Sequence, residues 1–145
     1  ETGALLGGEM SGHIFFADRY FGYDDAIYAA CRVFHILARG GRSVEELLAD
    51  LPSAFTTPEI RVDCPDDLKF SVAQRARDHF RDRYEIIDVD GVRIRFPEGW
   101  GLIRASNTQP VLVMRFEARS AEKLAEYRRT VEDVVATIRA DLGCA

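Results

Sequence analysis

The chain has no run of eighteen apolar residues, no charged leader ahead of a short apolar stretch, and no initiator methionine; it begins Glu1-Thr2-Gly3. The first two absences argue against a membrane-spanning helix and a secretory signal. The third is expected of a piece of a longer protein. Cysteine is scarce: Cys31, Cys64 and Cys144 lie far apart, with no spacing that suits zinc, and an odd number does not make a disulfide framework. Reduced thiols in a cytoplasmic protein are the expectation, with Cys31 in a core. Positive charge is also in deficit. A net charge of −5 gives no whole-domain attraction to DNA or RNA, so no nucleic-acid or membrane partner is expected and any anion site must be local. There is no P-loop, no dinucleotide fingerprint, no serine paired with a base, no internal repeat and no low-complexity segment.

What is present fits one domain or two small units. Hydrophobic residues at 47% and charged residues at 30% are the balance of a globular chain with a real core. Residues 1–23 are glycine-rich. Leu5-Leu6 is a short apolar run, Gly7 to His13 a polar loop, and Ile14-Phe15-Phe16 a strand; Ala17-Asp18-Arg19 turns into the aromatic run Tyr20-Phe21-Gly22-Tyr23. Asp24 or Asp25 can cap a helix whose apolar face is Ile27, Ala30, Cys31, Phe34, Leu37 and Ala38, ended by Gly40-Gly41. Ser43 and Glu46 have capping-box spacing for a second helix, with Val44, Leu47, Leu48 and Leu51 apolar and Pro52 as its stop. Residues 53–58 read as a linker and hinge, dividing the chain into 1–52 and 59–145.

Beyond the linker, Ile60 and Val62 alternate with charged residues in a short strand, and Pro65-Asp66-Asp67 opens a helix with Phe70, Ala73, Ala76, Phe80 and Tyr84 inward. A strand over 85–89 leads into Asp90-Gly91, a favoured two-residue hairpin turn, and Val92, Ile94 and Phe96 alternate with Arg93 and Arg95 on the return. After the turn Pro97-Glu98-Gly99 come strands at 100–104 and 111–117. A final helix over about 120–142 carries the stripe Leu124, Tyr127, Val131, Val134, Val135, Ile138 and Leu142. Clustered strands joined by short turns make the fold class α+β: a partial α/β unit, then an antiparallel sheet with helices on one face.

Two stretches could carry chemistry. Arg104-Ala105-Ser106-Asn107-Thr108-Gln109-Pro110 lies between two apolar strands and contains a guanidinium, two hydroxyls, two side-chain amides and no acid. Its negative partner is expected to be a ligand, and these are the donors a phosphate needs. The same residue types also make an ordinary turn. In Gly8-Glu9-Met10-Ser11-Gly12-His13, Glu9 and Ser11 project to one side of an extended loop, where carboxylate and hydroxyl together suit vicinal sugar hydroxyls. His13 could move a proton near neutral pH. The alternative is a glycine-rich turn with a solvated Glu. Elsewhere His35 and His79 read as isolated helix residues, Asp24-Asp25 as a helix start, Asp63, Asp66 and Asp67 as lacking calcium-loop spacing, and Trp100 as packing.

Gly8 to His13, followed by Ile14-Phe15-Phe16 and Tyr20 to Asp25, resembles the sugar-binding loop of the α-D-phosphohexomutases, and Arg104 to Thr108 resembles their C-terminal phosphate-binding loop. Asn107 with Met10 most resembles the phosphomannomutase/phosphoglucomutase branch; the phosphoglucosamine mutase branch ranks second, and a non-catalytic phosphosugar-binding module is the alternative of a different class. The resemblance favours the ligand reading of both stretches. It implies a C-terminal fragment: the end of a sugar-binding third domain and a fourth, phosphate-binding domain of TATA-box-binding-protein-like fold. The parent would exchange phosphate between O1 and O6 of mannose and glucose phosphates, through a phosphoserine in its first domain, Mg2+ in its second, and glucose 1,6-bisphosphate as intermediate and activator. It implies Glu9 and Ser11 on sugar hydroxyls, His13 as the catalytic proton carrier, and Arg104, Ser106, Asn107 and Thr108 on the phosphate that is not transferred. The serine loop and an Asp-x-Asp-x-Asp metal loop are missing from this sequence. No metal ligand and no turnover are therefore expected of this chain without the parent's first and second domains.

Overall fold

A computed structural model describes residues 3–9 and 11–144; Met10, part of the branch assignment, lies outside the described residues. The chain divides into two compact units, Glu1–Leu51 and Pro52–Ala145.

In the first unit β1 (Leu6–Gly8) and β2 (Ile14–Phe16) form an antiparallel hairpin with Leu6 opposite Phe16 and Gly8 opposite Ile14. The polar loop is therefore the tip of a hairpin. Helix α1 (Ala26–Gly40) starts at Asp25, whose carboxylate accepts from the Tyr28 N–H at 2.9 Å, and stops at Gly41 with φ +60°. Helix α2 (Val44–Leu48) has a complete capping box between Ser43 and Glu46 and ends before Leu51 and Pro52. The expected apolar face of α1 is not a core. Ile27 is 80% and Phe34 68% exposed, and Cys31 is exposed rather than buried. A two-stranded hairpin can cover only one side of a helix, and that side is held by Ala29, by Tyr28 edge-on to Phe16 at 5.4 Å and by Arg32 over Phe16 at 4.9 Å.

The second unit is a six-stranded sheet. Strands β3 (Phe55–Thr56), β4 (Ile60–Asp63), β5 (Glu85–Ile87), β6 (Val92–Phe96), β7 (Gly99–Ala105) and β8 (Val111–Ala118) run in the order β3-β8-β7-β6-β5, with β4 also on β8 and every pairing antiparallel. Alternation sends Val92, Ile94 and Phe96 inward with Ile103, Leu112, Met114 and Phe116. They meet Val72, Ala76 and Phe80 of α3 (Lys69–Phe80) and Tyr127, Val131, Val135 and Ile138 of α4 (Ala121–Asp141). Phe96 stacks on Tyr127 at 4.2 Å and meets Tyr84 edge-on at 4.8 Å.

Three local expectations are corrected. Phe55–Thr56, inside the stretch read as a linker, pair with β8, and Thr57 extends the tie by donating its N–H to the Phe116 carbonyl and accepting the Phe116 N–H at its hydroxyl. The β5–β6 loop is longer than two residues, because Ile87 faces Arg93; Gly91 sits at φ +88°, the left-handed position of a bulged loop. Phe70 is 56% exposed and Lys69 is buried in its place. At 3.6 residues per turn Phe70 lies off the Val72–Ala76–Phe80 face, while the Lys69 ammonium is met by Asp66 Oδ1 and the Gln109 carbonyl.

Candidate functional site

In the first unit the tip of the hairpin gathers all three predicted sugar-site residues. The Glu9 N–H donates to the His13 carbonyl at 2.9 Å and the Gly12 N–H to the Glu9 carbonyl at 3.0 Å, with Gly12 at φ +90°. A tight turn that needs glycine thus brings the side chains together. Ser11 Oγ lies 2.9 Å from Glu9 Oε2 and 2.6 Å from His13 Nδ1. A carboxylate only accepts, so the single hydroxyl hydrogen goes to Glu9 and the imidazole must donate from Nδ1. That assigns the tautomer and leaves Nε2 as the atom able to take or give a proton. Asp24 Oδ2 lies 3.8 Å from Nε2, and its other oxygen accepts the Ile14 N–H at 3.4 Å. Sequence reading treated Asp24 and Asp25 alike as a helix start; only Asp25 caps, and Asp24 turns back to the hairpin through a bridge with Phe15. Tyr20, stacked on Tyr28 at 3.8 Å, donates its hydroxyl to Asp25 at 2.5 Å. That bond holds the Asp25 carboxyl below its usual range and, with Tyr23, raises the Tyr20 phenol far above its own.

In the second unit the loop 106–110 joins β7 to β8 at one end of the sheet. The Ser106 N–H donates to the Val111 carbonyl at 3.0 Å, and Ser106 Oγ accepts from the Thr108 and Gln109 N–H groups at 3.3 and 3.2 Å. This hydroxyl shapes the turn while its own hydrogen stays available to an anion. Asn107 and Thr108 are exposed at the tip. Arg104 does not wait for a ligand to supply its negative charge, as expected from the stretch alone: Asp90 Oδ2 lies 3.2 Å from its guanidinium, with the two side chains 44% and 71% exposed. Gly91 makes that pair possible. A Cβ there would stand 2.6 Å from the Ile103 carbonyl and 3.1 Å from Arg104 Cα, so only glycine lets the β5–β6 loop lie against the base of Arg104.

Sequence reading missed Asp24, Asp90 and the two cations that hold Gln109 of the 106–110 loop, Arg61 and Lys69. Nothing in local spacing connects them to the loops they serve, since the fold brings them there from other elements. A cavity of about 490 Å3 lies elsewhere in this unit, on the open face of the sheet, lined by Arg93, Arg95, Trp100, Glu117 and Arg119. Arg93 sits 4.5 Å over the Trp100 ring. No predicted site residue lines this cavity. Among the described residues no three His, Cys, Asp or Glu side chains gather as metal ligands, and no helix is long and apolar enough to cross a membrane.

Comparison with known proteins covers both units. A family model for the phosphoglucomutase/phosphomannomutase C-terminal domain matches residues 59–134, and one for alpha/beta/alpha domain III matches residues 1–55. The chain is 45% identical over 143 residues to a phosphomannomutase/phosphoglucomutase of Pseudomonas aeruginosa, covering 98% of this chain and 31% of that protein. It is 41% identical over 138 residues to a phosphoglucomutase of Neisseria gonorrhoeae, covering 93% and 30%, and 38% identical over 136 residues to a probable phosphoglucosamine mutase of Methanopyrus kandleri, covering 93% and 30%. A crystal structure of a phosphoglucomutase/phosphomannomutase family protein from Burkholderia thailandensis superposes with a TM-score of 0.79 at 38% identity, over 95% of this chain and 29% of that one. The chain thus spans about a third of the length of these relatives.

Proposed function

Because the chain belongs to the phosphoglucomutase/phosphomannomutase family, we propose that it is the C-terminal part of a cytoplasmic hexose-phosphate mutase. In this reading the Glu9–His13 hairpin recognises the sugar and the loop after β7 grips the phosphate that is not being transferred. The observation that carries it is the second loop. It offers a guanidinium, a hydroxyl with an unspent hydrogen and an exposed amide and hydroxyl at its tip, all fixed to the end of a packed sheet.

Glu9 accepts hydrogen bonds from sugar hydroxyls, and Ser11 exchanges its internal bond to Glu9 for one to the sugar. His13, donating from Nδ1 to Ser11, keeps Nε2 free to hold a proton in or beside the sugar site. Arg104 binds two phosphate oxygens in fork geometry, and Ser106, Asn107 and Thr108 add shorter neutral bonds. Gripping the spectator phosphate fixes the far end of the sugar, so the reacting end is presented in one orientation. The parent would interconvert hexose 1-phosphate and 6-phosphate of mannose and glucose through a bisphosphorylated sugar. Mg2+ would neutralise charge on the phosphoryl group in transfer; among the described residues none form a site that fits it, so its ligands are assigned to another part of the parent. Without a phosphoryl carrier this chain alone has no turnover. A phosphoglucosamine mutase is the second reading, favoured by the relative so named, and substrate preference of the parent decides between them.

The test is a titration of the chain with glucose 6-phosphate, followed by backbone amide shifts. Amides of residues 104–109 and 9–13 should move first. Shifts confined to other surfaces would refute the assignment, and hexose 1-phosphate turnover by the isolated chain would refute its inactivity.

A further inference from the structure

Resting on the phosphate-loop reading above, we propose that Lys69 and Arg61 are positioning residues that clamp Gln109 and so hold the phosphate loop in its binding shape. Gln109 closes the loop and is held from two sides. Lys69, only 4% exposed, donates from Nζ to the Gln109 backbone carbonyl at 3.1 Å and to Asp66 Oδ1 at 2.6 Å. Arg61 donates from Nη1 to Gln109 Oε1 at 2.7 Å and from Nε to Glu59 Oε1 at 2.8 Å. The Gln109 N–H points to Ser106 Oγ, and its carbonyl also takes the Val111 N–H at 2.8 Å. Main chain and side chain of one residue are therefore fixed independently, one by a helix and the other by a strand.

The first clamp comes from the first turn of α3 and the second from β4, 40 and 48 residues earlier in the chain. Neither belongs to the apolar core cluster. Burying an ammonium is costly unless oxygens meet it, and here one of those oxygens belongs to the candidate loop. The arrangement fixes the shape of the loop. It stops the segment 107–110 from swinging about Ser106, and it keeps the Gln109 side chain turned to β4 while the loop N–H groups stay in place, so an anion meets a shape already formed. Arg61 and Lys69 act on Gln109, so their effect on phosphate passes through the loop.

The experiment is an amide-shift titration of the 145-residue chain with inorganic phosphate, for the wild type and for Lys69→Met, Lys69→Arg, Arg61→Met, Gln109→Ala and the Arg61→Met/Gln109→Ala pair. Loss of one net hydrogen bond on Gln109 should weaken phosphate by roughly two- to tenfold. Lys69→Met should show the larger loss and Lys69→Arg should recover part of it. Arg61→Met should weaken binding in the wild-type background and do nothing further once Gln109 is Ala, a pattern that a general structural role of Arg61 would not produce. Arg61 is 57% exposed on the sheet, so its variants test the clamp even if Lys69→Met does not fold. Unchanged phosphate affinity in a folded Lys69→Met, or an Arg61→Met effect that persists in the Gln109→Ala background, overturns the clamp alone. A wild-type chain whose residues 104–109 ignore phosphate overturns the loop reading and the clamp with it.

Discussion

Asp90 should behave as a built-in competitor of phosphate. Its carboxylate sits 3.2 Å from the Arg104 guanidinium, where a phosphate oxygen would bind, so an incoming anion must displace it or share the guanidinium with it. The pair is substantially exposed, and such pairs are worth about 0.2–1 kcal/mol. Asp90→Asn removes that competition, and phosphate should bind about 1.5- to 5-fold more tightly. Arg104→Ala removes a charge-assisted bond worth about 1.5–3 kcal/mol, and phosphate should bind roughly 10- to 150-fold more weakly. Neither side chain supports the core, so each substitution should cost no more stability than the pair itself, about 1 kcal/mol at most. Amide shifts of residues 104–109 during phosphate titration measure the affinities, and thermal unfolding followed by Trp100 measures stability in the same unit. Raising salt should shrink the Asp90→Asn gain, since exposed pairs are screened over about 8–10 Å. Weaker phosphate binding by Asp90→Asn would mean that Asp90 orients Arg104 rather than competing for it, and the reasoning would fail.

Gly99→Ala should be costly in a strand where alanine is normally tolerated. Its Cβ would lie 2.1 Å from the Glu117 carbonyl and 2.8 Å from Ala118 Cα, contacts with backbone that no rotamer relieves. Overpacking of this kind costs about 1–3 kcal/mol, a fall of roughly 4–24 °C in Tm for a unit of this size; a change under 2 °C, well below that range, would contradict the pairing described for β7 and β8. Among the thiols, Cys31 should react with a disulfide reagent in the native chain, while Cys64 and Cys144, buried 4.0 Å apart, should react only after unfolding. Burial first, and Cys144 beside it second, push the Cys64 thiol from 9.0 up to about 11. Because the folded value is the higher one, stability is intact below pH 9 and falls between pH 9 and about 11. Urea midpoints across that range should show the slope, and Cys64→Ala should flatten it.

Much of the second unit was legible because its strands alternate cleanly. Val92, Ile94 and Phe96 declare their face against Arg93 and Arg95, and the stripe of α4 from Leu124 to Leu142 is long enough to leave one phase. The failures share a cause: local pattern cannot see a partner from elsewhere in the chain. Lys69 goes inside because a carbonyl 40 residues later accepts its ammonium. Phe55–Thr56 is a strand because the edge of β8 receives it. Ile27, Phe34 and Cys31 look like a core face on α1 and remain exposed because the hairpin covers the other side. The candidate sites divide in the same way. Glu9, Ser11 and His13 are near neighbours in sequence and were singled out together, and their side chains do meet; Arg104 was singled out, while Asp90, set beside it by the turn at Gly91, was not.

The sheet is closed by its last strand. Strands β3 and β4, the first to leave a ribosome in this unit, both pair with β8, which is complete only at Ala118. During synthesis their edges stay open until more than fifty further residues have emerged; β5, β6 and β7 can pair in turn on the way, and the sheet is completed only when β8 arrives. At about 5–20 residues per second, that leaves unsatisfied strands for several seconds. Chaperone demand should accordingly follow the delay in making β8 more closely than the stability of the finished sheet.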